Sequence, residues 1–406
     1  MRTRNPLIAL VVFLCLAAGR GLCADIEELK RSVVEIGHLE FRKDVPIRYL
    51  DRAQLKAYIE RLFEEDYPDE LAGKEEELLY WMGFTREKIA LKPLRHAIIL
   101  ENVGGMYNEK TKELLAVEEF RQVDMLNAPA LAHERRHAAQ DQHFPLAALL
   151  GDLSDFDDRK LAALAAVEGD ATLVMVRQMG FDPDLVSSAF SPENVLSFSA
   201  LAGATTLAAA PDIVKFQLLM PYLEGLKFSR AIVKARKWKG LNQVLGNKPL
   251  SSEQVLHPQK YMASEKPQAV FTRFRPARGQ LYHQGVIGEY YLNVLLKQGL
   301  EVGDAAAGWG GDLFSLYRDG DSRLLLWESH WDTPADGSRF FADYRRFLER
   351  EFRVNFQDGS EQGRPFIAGS SAAGYFFLRR DGARLFYARS NDRERINELI
   401  SGGIYD

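Results

Sequence analysis

Two histidines four residues apart, with a glutamate directly after the first, constrain this chain more than any other feature. They stand in Ala132-His133-Glu134-Arg135-Arg136-His137-Ala138. Residues four apart share one face of a helix, so the pattern has chemical sense only on a helix. The flanks agree with that. Asn127 is placed to cap, Pro129 suits a first turn and Pro145 stops the segment, which predicts a helix from about Ala130 to His143. On its face His133 and His137 offer two imidazole nitrogens to one ion. Zinc suits them, being borderline-soft and tetrahedral with nitrogen and oxygen ligands. Glu134 projects beside the pair, where its carboxylate can take a proton from water activated by the metal. Without an ion, the same residues make a solvated polar helix face.

The third ligand decides the class of site. Glu168 has Leu164, Ala165, Ala171 and Thr172 as its helical neighbours three and four away. A carboxylate on so apolar a stripe is costly unless a cation meets it, and zinc or a buried arginine would serve. Gly169 and Ala171 beside it leave room for a close helix approach. His143, six residues beyond His137, is the rival ligand. That arrangement needs a glycine three residues after the second histidine to turn the chain, and the position holds Gln140. On an unbroken helix His143 aims away from the pair and packs or caps the helix end. Asp141, four after His137, is placed either to accept a ligand imidazole N–H or to close a helix-end salt bridge.

Residues 1–24 differ from the rest. Arg2 and Arg4 precede an apolar run from Pro6 to Ala18, and small residues follow from Gly19 to Ala24. This is expected to be a secretory signal cleaved near Cys23 or Ala24, with a retained membrane anchor as the alternative. Both cysteines, Cys15 and Cys23, fall there, so the exported chain has no disulfide, no cysteine ligand and no cysteine nucleophile. Removing the segment's three arginines from a net charge of −5 leaves −8. That balance, with no basic block, argues against nucleic acid or an anionic membrane as the main partner.

At 406 residues two structural units are expected. Asp44–Leu50 reads as a strand and Arg52–Glu65 as a helix. Ile98–Glu101 and Glu113–Val117 read as strands around a turn at Tyr107–Lys110. A helix opens near Ser154 and ends at Gly180, and residues 190–300 read as mostly helical. From residue 305 the texture changes. Strands at Leu313–Arg318 and Arg323–His330, a helix over Asp336–Glu351, strands at Tyr375–Arg379 and Arg384–Arg389, and a last short helix predict a small α+β unit of about 100 residues. Trp309 among glycines reads as a structural joint.

With these residues in place, His133, Glu134, His137 and Glu168 resemble the gluzincin, thermolysin-like pattern of zinc peptidases. Several phrases also resemble an uncharacterised family of exported bacterial metallopeptidase-like proteins: Gln140–Phe144, Glu168–Ala171, Ser252–Pro258 and Gly308–Asp312. The similarity covers most of the chain after residue 24. It implies that His133, His137 and Glu168 are ligands, that Glu134 is the general base, and that a Tyr or His from a later helix steadies the oxyanion. Tyr222 and His257 are the candidates; otherwise Tyr222 packs in the core and His257 ends a helix before Pro258. The strand at Leu114–Val117 would pair with an extended peptide. The chain departs from the pattern at Arg135 and Arg136, where such helices carry uncharged residues. They are expected to snorkel outward or to pair with acids such as Asp157 or Asp158.

The expectation is an α+β, mainly helical chain. It has a signal segment (1–24), a zincin-like unit with a small sheet before the zinc helix (25–304) and a C-terminal α+β unit (305–406). Its expected function is zinc-dependent hydrolysis of peptide bonds in a peptide or protein substrate, in the periplasm or outside the cell. Two alternatives stand beside it: a zinc-binding scaffold of the same fold without catalysis, which the two arginines suggest, and a metallohydrolase of another amide.

Overall fold

A computed structural model describes residues 25–401, apart from 103, 125, 126, 152, 190, 202–204, 273, 275, 298–302 and 362. The segment 1–24, read above as a secretory signal, lies outside the described residues. Helices α1 (Ile26–Gly37), α2 (Arg52–Asp66), α3 (Asp69–Met82) and α4 (Leu91–Asn102) lead to α5 (Ala128–His143). Strands β1 (Ile47–Leu50), β2 (Gly105–Asn108) and β3 (Glu113–Val117) lie among them. They form a three-stranded sheet in the order β1-β3-β2, with β1 parallel and β2 antiparallel to β3. The register sets Tyr107 and Ile47 on opposite sides of Leu114. Leu29, Val33, Leu55, Ile59, Leu114 and Leu131 form one core between this sheet and α1, α2 and α5.

Next come α6 (Leu146–Leu150), α7 (Asp158–Gln178), α8 (Pro183–Ala189), α9 (Pro192–Leu201), α10 (Thr205–Ala209) and α11 (Asp212–Val244). Asp157 caps α7 by accepting the Arg159 N–H, which satisfies a donor the helix itself leaves open. α11 is interrupted at Lys237, where φ is 61° and ψ −178°. α7 and α11 pack closely because two glycines face each other. A Cβ on Gly169 would overlap the Gly225 carbonyl, and one on Gly225 would overlap the Ala165 carbonyl.

The remainder holds α12 (Ser252–Leu256), α13 (Pro258–Met262), β4 (Gln280–Gly285), α14 (Gly288–Leu296), β5 (Trp309–Asp319), β6 (Ser322–Trp331) and α15 (Pro334–Phe352). It closes with β7 (Asn355–Glu361), β8 (Arg364–Ser371), β9 (Gly374–Asp381), β10 (Arg384–Ser390) and α16 (Arg393–Ser401). These strands form a seven-stranded antiparallel sheet in the order β4-β5-β6-β10-β9-β8-β7. Alternation along the strands gives it two apolar faces. Phe376, Leu378, Leu385 and Tyr387 join the large core shared with the helices, whereas Phe377, Phe386 and Ala388 pack with Ile396 and Leu399 of α16. The whole is α+β and mainly helical. No described helix is long and apolar enough to cross a membrane.

Three local expectations are corrected. Ile98–Glu101 is the end of α4, where burial of Leu91, Arg95 and Ile98 follows a helical spacing rather than alternation. The partner of Glu113–Val117 is therefore Gly105–Asn108, and the hairpin turns at Glu109–Lys112. Leu114–Val117 cannot accept an added peptide strand, because β3 is the middle strand of its sheet. The sheet expected to begin after residue 305 already includes β4, from a region read as helical, along with β7 and β8.

Candidate metal centre

α5 brings His133 and His137 to one face, and α7 lays Glu168 across from them. The two imidazole Nε2 atoms are 2.9 Å apart. Glu168 Oε2 lies 3.0 Å from the first and 3.3 Å from the second. A tetrahedral zinc with bonds of about 2.0–2.1 Å sets its ligand atoms roughly 3.3 Å apart, so this triangle has the size of one face of such a site. Two imidazoles and one carboxylate are also the donor set of hydrolytic zinc sites that keep a position open for water. The residues present fit the ion.

The electrostatics of the cluster are set by burial and by the interaction of its three members with one another. Burial pushes the Glu168 carboxyl up, but the His137 charge and hydrogen bonds from both imidazoles outweigh it and hold it down at about 2. Burial lowers His137, yet Glu168 raises it further, to about 9. His133 is lowered by burial and by the His137 charge.

Glu134 is the third element. Its Oε2 accepts the Tyr107 N–H of β2 at 2.6 Å, while Oε1 is buried with no hydrogen-bond partner among the described residues. Burial, reinforced by the Glu168 charge and opposed by His137 and the Tyr107 N–H, lifts the carboxyl to about 7. One oxygen is therefore fixed and the other is left for a proton. Tyr222, on α11, stacks over the His133 ring with centroids 6.0 Å apart and planes at 27°. The close α7–α11 packing puts it there.

The other expected residues are placed elsewhere. His257 is not brought into the cluster; its Nε2 lies 2.9 and 3.1 Å from the Glu289 oxygens on α14. His143 meets the Glu40 carbonyl at 2.8 Å, so the rival third ligand is out of place. Asp141 does not touch an imidazole; it accepts the Tyr107 hydroxyl, the Lys112 ammonium and the Leu146 N–H. Gln140 takes that role, with Oε1 at 2.8 Å from His137 Nδ1. Its signal was its place three residues after His137, on the same face. Neither arginine snorkels to solvent or meets Asp157 or Asp158. Arg136 is buried against Asp170, while Arg135 is buried with Nε and Nη1 unpartnered among the described residues. A second group of acids, Glu253, Glu265 and Asp332, already surrounds the Lys260 ammonium, which bonds all three at 2.7–2.8 Å.

Residues 277–400, which span β4 to α16, match a family model described as a domain of unknown function, DUF8575. The cluster of His133, His137 and Glu168 lies outside that match. No curated protein and no solved structure matches the chain.

Proposed function

We propose that this chain is an exported, zinc-dependent peptidase with a zincin-like, gluzincin-type site. The observation that carries the reading is the triangle of His133, His137 and Glu168 with the unpartnered Glu134 Oε1 beside it. His133, His137 and Glu168 would hold the ion. A zinc held there supplies Lewis acidity toward a scissile carbonyl and toward water. Glu134 accepts the water's proton at Oε1 and returns it to the leaving amine, a cycle suited to a carboxyl lifted to about 7. The Tyr107 N–H holds the other oxygen still during both transfers. Tyr222, stacked on His133, is the better placed of the two oxyanion candidates, and His257 is engaged by Glu289 instead.

One observation favours the second reading, a zinc-bearing scaffold without catalysis. His133, Glu134 and His137 are each 1 % exposed and Glu168 is 2 % exposed, so a peptide needs a way in. Two measurements separate the readings. Elemental analysis of the chain expressed without residues 1–24 is expected to give about one zinc per chain, lost in His133→Ala and Glu168→Ala and kept in His143→Ala. Assay of Glu134→Gln against a peptide library is expected to show retained zinc and hydrolysis slower by roughly 10²–10⁴-fold. Hydrolysis unchanged in Glu134→Gln would sink the mechanism, and zinc without turnover in the parent would select the scaffold. The export part predicts an N-terminus at or just after Cys23 on the secreted chain.

A further inference from the structure

The two imidazoles of the cluster are held differently. His133 Nδ1 is buried with no hydrogen-bond partner among the described residues. His137 Nδ1 faces Gln140 Oε1 at 2.8 Å. An amide oxygen only accepts, so His137 carries a hydrogen on Nδ1 and turns Nε2 into the cluster. The Gln140 amide itself is set one way round. Its Nε2 donates to the Val167 carbonyl at 3.0 Å and to Asp170 Oδ2 at 2.8 Å, and neither partner donates. Asp170 accepts in turn from Arg136, through Nε at 3.1 and 3.0 Å and Nη2 at 2.9 Å. Arg136 also donates to the Gly37 carbonyl of α1 and to Asn242 Oδ1, beyond the break in α11.

We infer that Gln140, Asp170 and Arg136 are positioning residues, a relay that presents His137 as the fixed nitrogen ligand of zinc and leaves His133 as the adjustable one. The inference rests on the zinc reading above. The hydrogen bonds from His137 through Gln140 run in one direction and end on Asp170, to which Arg136 donates from the other side. Its charge polarises the Gln140 amide, which raises the electron density His137 offers a cation, while Arg136 keeps the buried carboxylate neutralised. The neutral amide is needed in the middle, because a carboxylate at position 140 would face Asp170 with like charge. Gln140 thus has a positive role where the sequence showed only the lack of a glycine.

The test compares the parent chain with Gln140→Leu, Gln140→Glu and the double variant Gln140→Glu/Asp170→Asn. Zinc affinity is measured by chelator competition, ligand geometry by the visible spectrum of the cobalt(II) derivative, and folding by the thermal midpoint of the metal-free chain. Leu378→Ala, in the C-terminal sheet, serves as a variant destabilised away from the cluster. Gln140→Leu is expected to bind zinc roughly 10–100-fold more weakly, with an altered cobalt spectrum. Leu378→Ala is expected to lower the thermal midpoint and keep the parent's affinity and spectrum. Gln140→Glu is expected to remain weak, and the double variant to recover to within a few fold. In the double variant an amide at position 170 can donate to the carboxylate at position 140 and still accept from Arg136. Parent-like affinity and spectrum in Gln140→Leu would overturn the relay and leave the zinc reading standing. Failure of the double variant to recover would overturn the assigned direction of its hydrogen bonds. A parent that takes up no zinc would overturn the zinc reading, and the relay with it.

Discussion

Arg135 and Arg136 are neighbours on one helix, both buried, and in opposite circumstances. Arg136 has Asp170, Asn242 and the Gly37 carbonyl; Arg135 is 2 % exposed, and burial pulls its guanidinium below its ordinary pKa against the attraction of Glu27, Asp44 and Tyr49, none of which it hydrogen-bonds through its buried Nε and Nη1. Removing a paired buried charge strands its partner, whereas removing an unpaired one relieves a desolvation cost. Arg136→Met is therefore expected to destabilise by about 3–5 kcal/mol and Arg135→Met to stabilise by about 1–3 kcal/mol, read as urea unfolding free energies. Similar losses in both would show that Arg135 is satisfied in solution by something outside the described contacts. The same pair marks how far the residue scale is legible. His133, Glu134, His137 and Glu168 were readable because helical spacing and an apolar setting are properties of the chain itself. Asp170 as the partner of Arg136, and Gln140 as the partner of His137, depend on how two helices meet, and local spacing does not carry that.

Among the elements, α7 and α11 are where packing and site are joined. Glu168 sits beside Gly169, whose missing Cβ admits the Gly225 backbone, and α11 brings Tyr222 onto His133. In Gly169→Ala the new methyl meets backbone, which cannot swing aside as a side chain would. A loss of about 1–3 kcal/mol is expected from such overpacking, together with weaker zinc binding on the proposed reading of the site as Glu168 is displaced. Gly73, inside α3, meets nothing within 4 Å, so Gly73→Ala is expected to stabilise by about 0.5–1 kcal/mol. A thermal midpoint that rises in Gly169→Ala as it does in Gly73→Ala would show that the helix contact is looser than described. The close approach was legible in the sequence because small residues flank Glu168. Other elements were not. The Ile98–Glu101 run is too short for its period to separate strand from helix, and the buried spacing of Leu91, Arg95 and Ile98 decided it. β7 and β8 carry Asn355, Asp358, Gly359, Ser360, Gly369 and Ser370, residues poor in strand preference, and are held by pairing with each other and with β9.

Over the whole molecule, the helical part and the seven-stranded sheet share one core, and the start of α7 is pinned where they meet. The Asp158 N–H donates to the Val286 carbonyl at 2.9 Å, and Oδ2 accepts the Ser252 N–H at 2.9 Å. Its Oδ1 is buried with no partner among the described residues, and its carboxyl lies so close over Gly288 that a Cβ there would overlap it. Burial, with Asp312 and Asp157 adding like charge, raises the Asp158 pKa well above the ordinary carboxylate range, against the Ser252 hydrogen bonds. The consequence for stability has a definite sign. A carboxyl that binds its proton more tightly when folded stabilises the fold fully below its unfolded pKa of about 3.9, and that contribution is lost as pH rises through the folded value. Each unit by which the folded pKa exceeds the unfolded one is worth about 1.4 kcal/mol. Glu168 and Asp155, both held at about 2, act oppositely and only below the ordinary carboxylate range, while His137, raised to about 9, titrates above it but is common to parent and variant and cancels in their comparison. Asp158→Asn keeps the shape, still accepts from Ser252 and removes the charge. Urea unfolding in the presence of a chelator, from pH 4 to pH 8, is expected to give nearly equal stabilities for the two chains at the acid end. Above it the variant should become progressively more stable than the parent. Parallel curves would mean that Asp158 is ionised in the folded chain even at pH 4, and that a cation or water at the junction supplies the partner Oδ1 lacks.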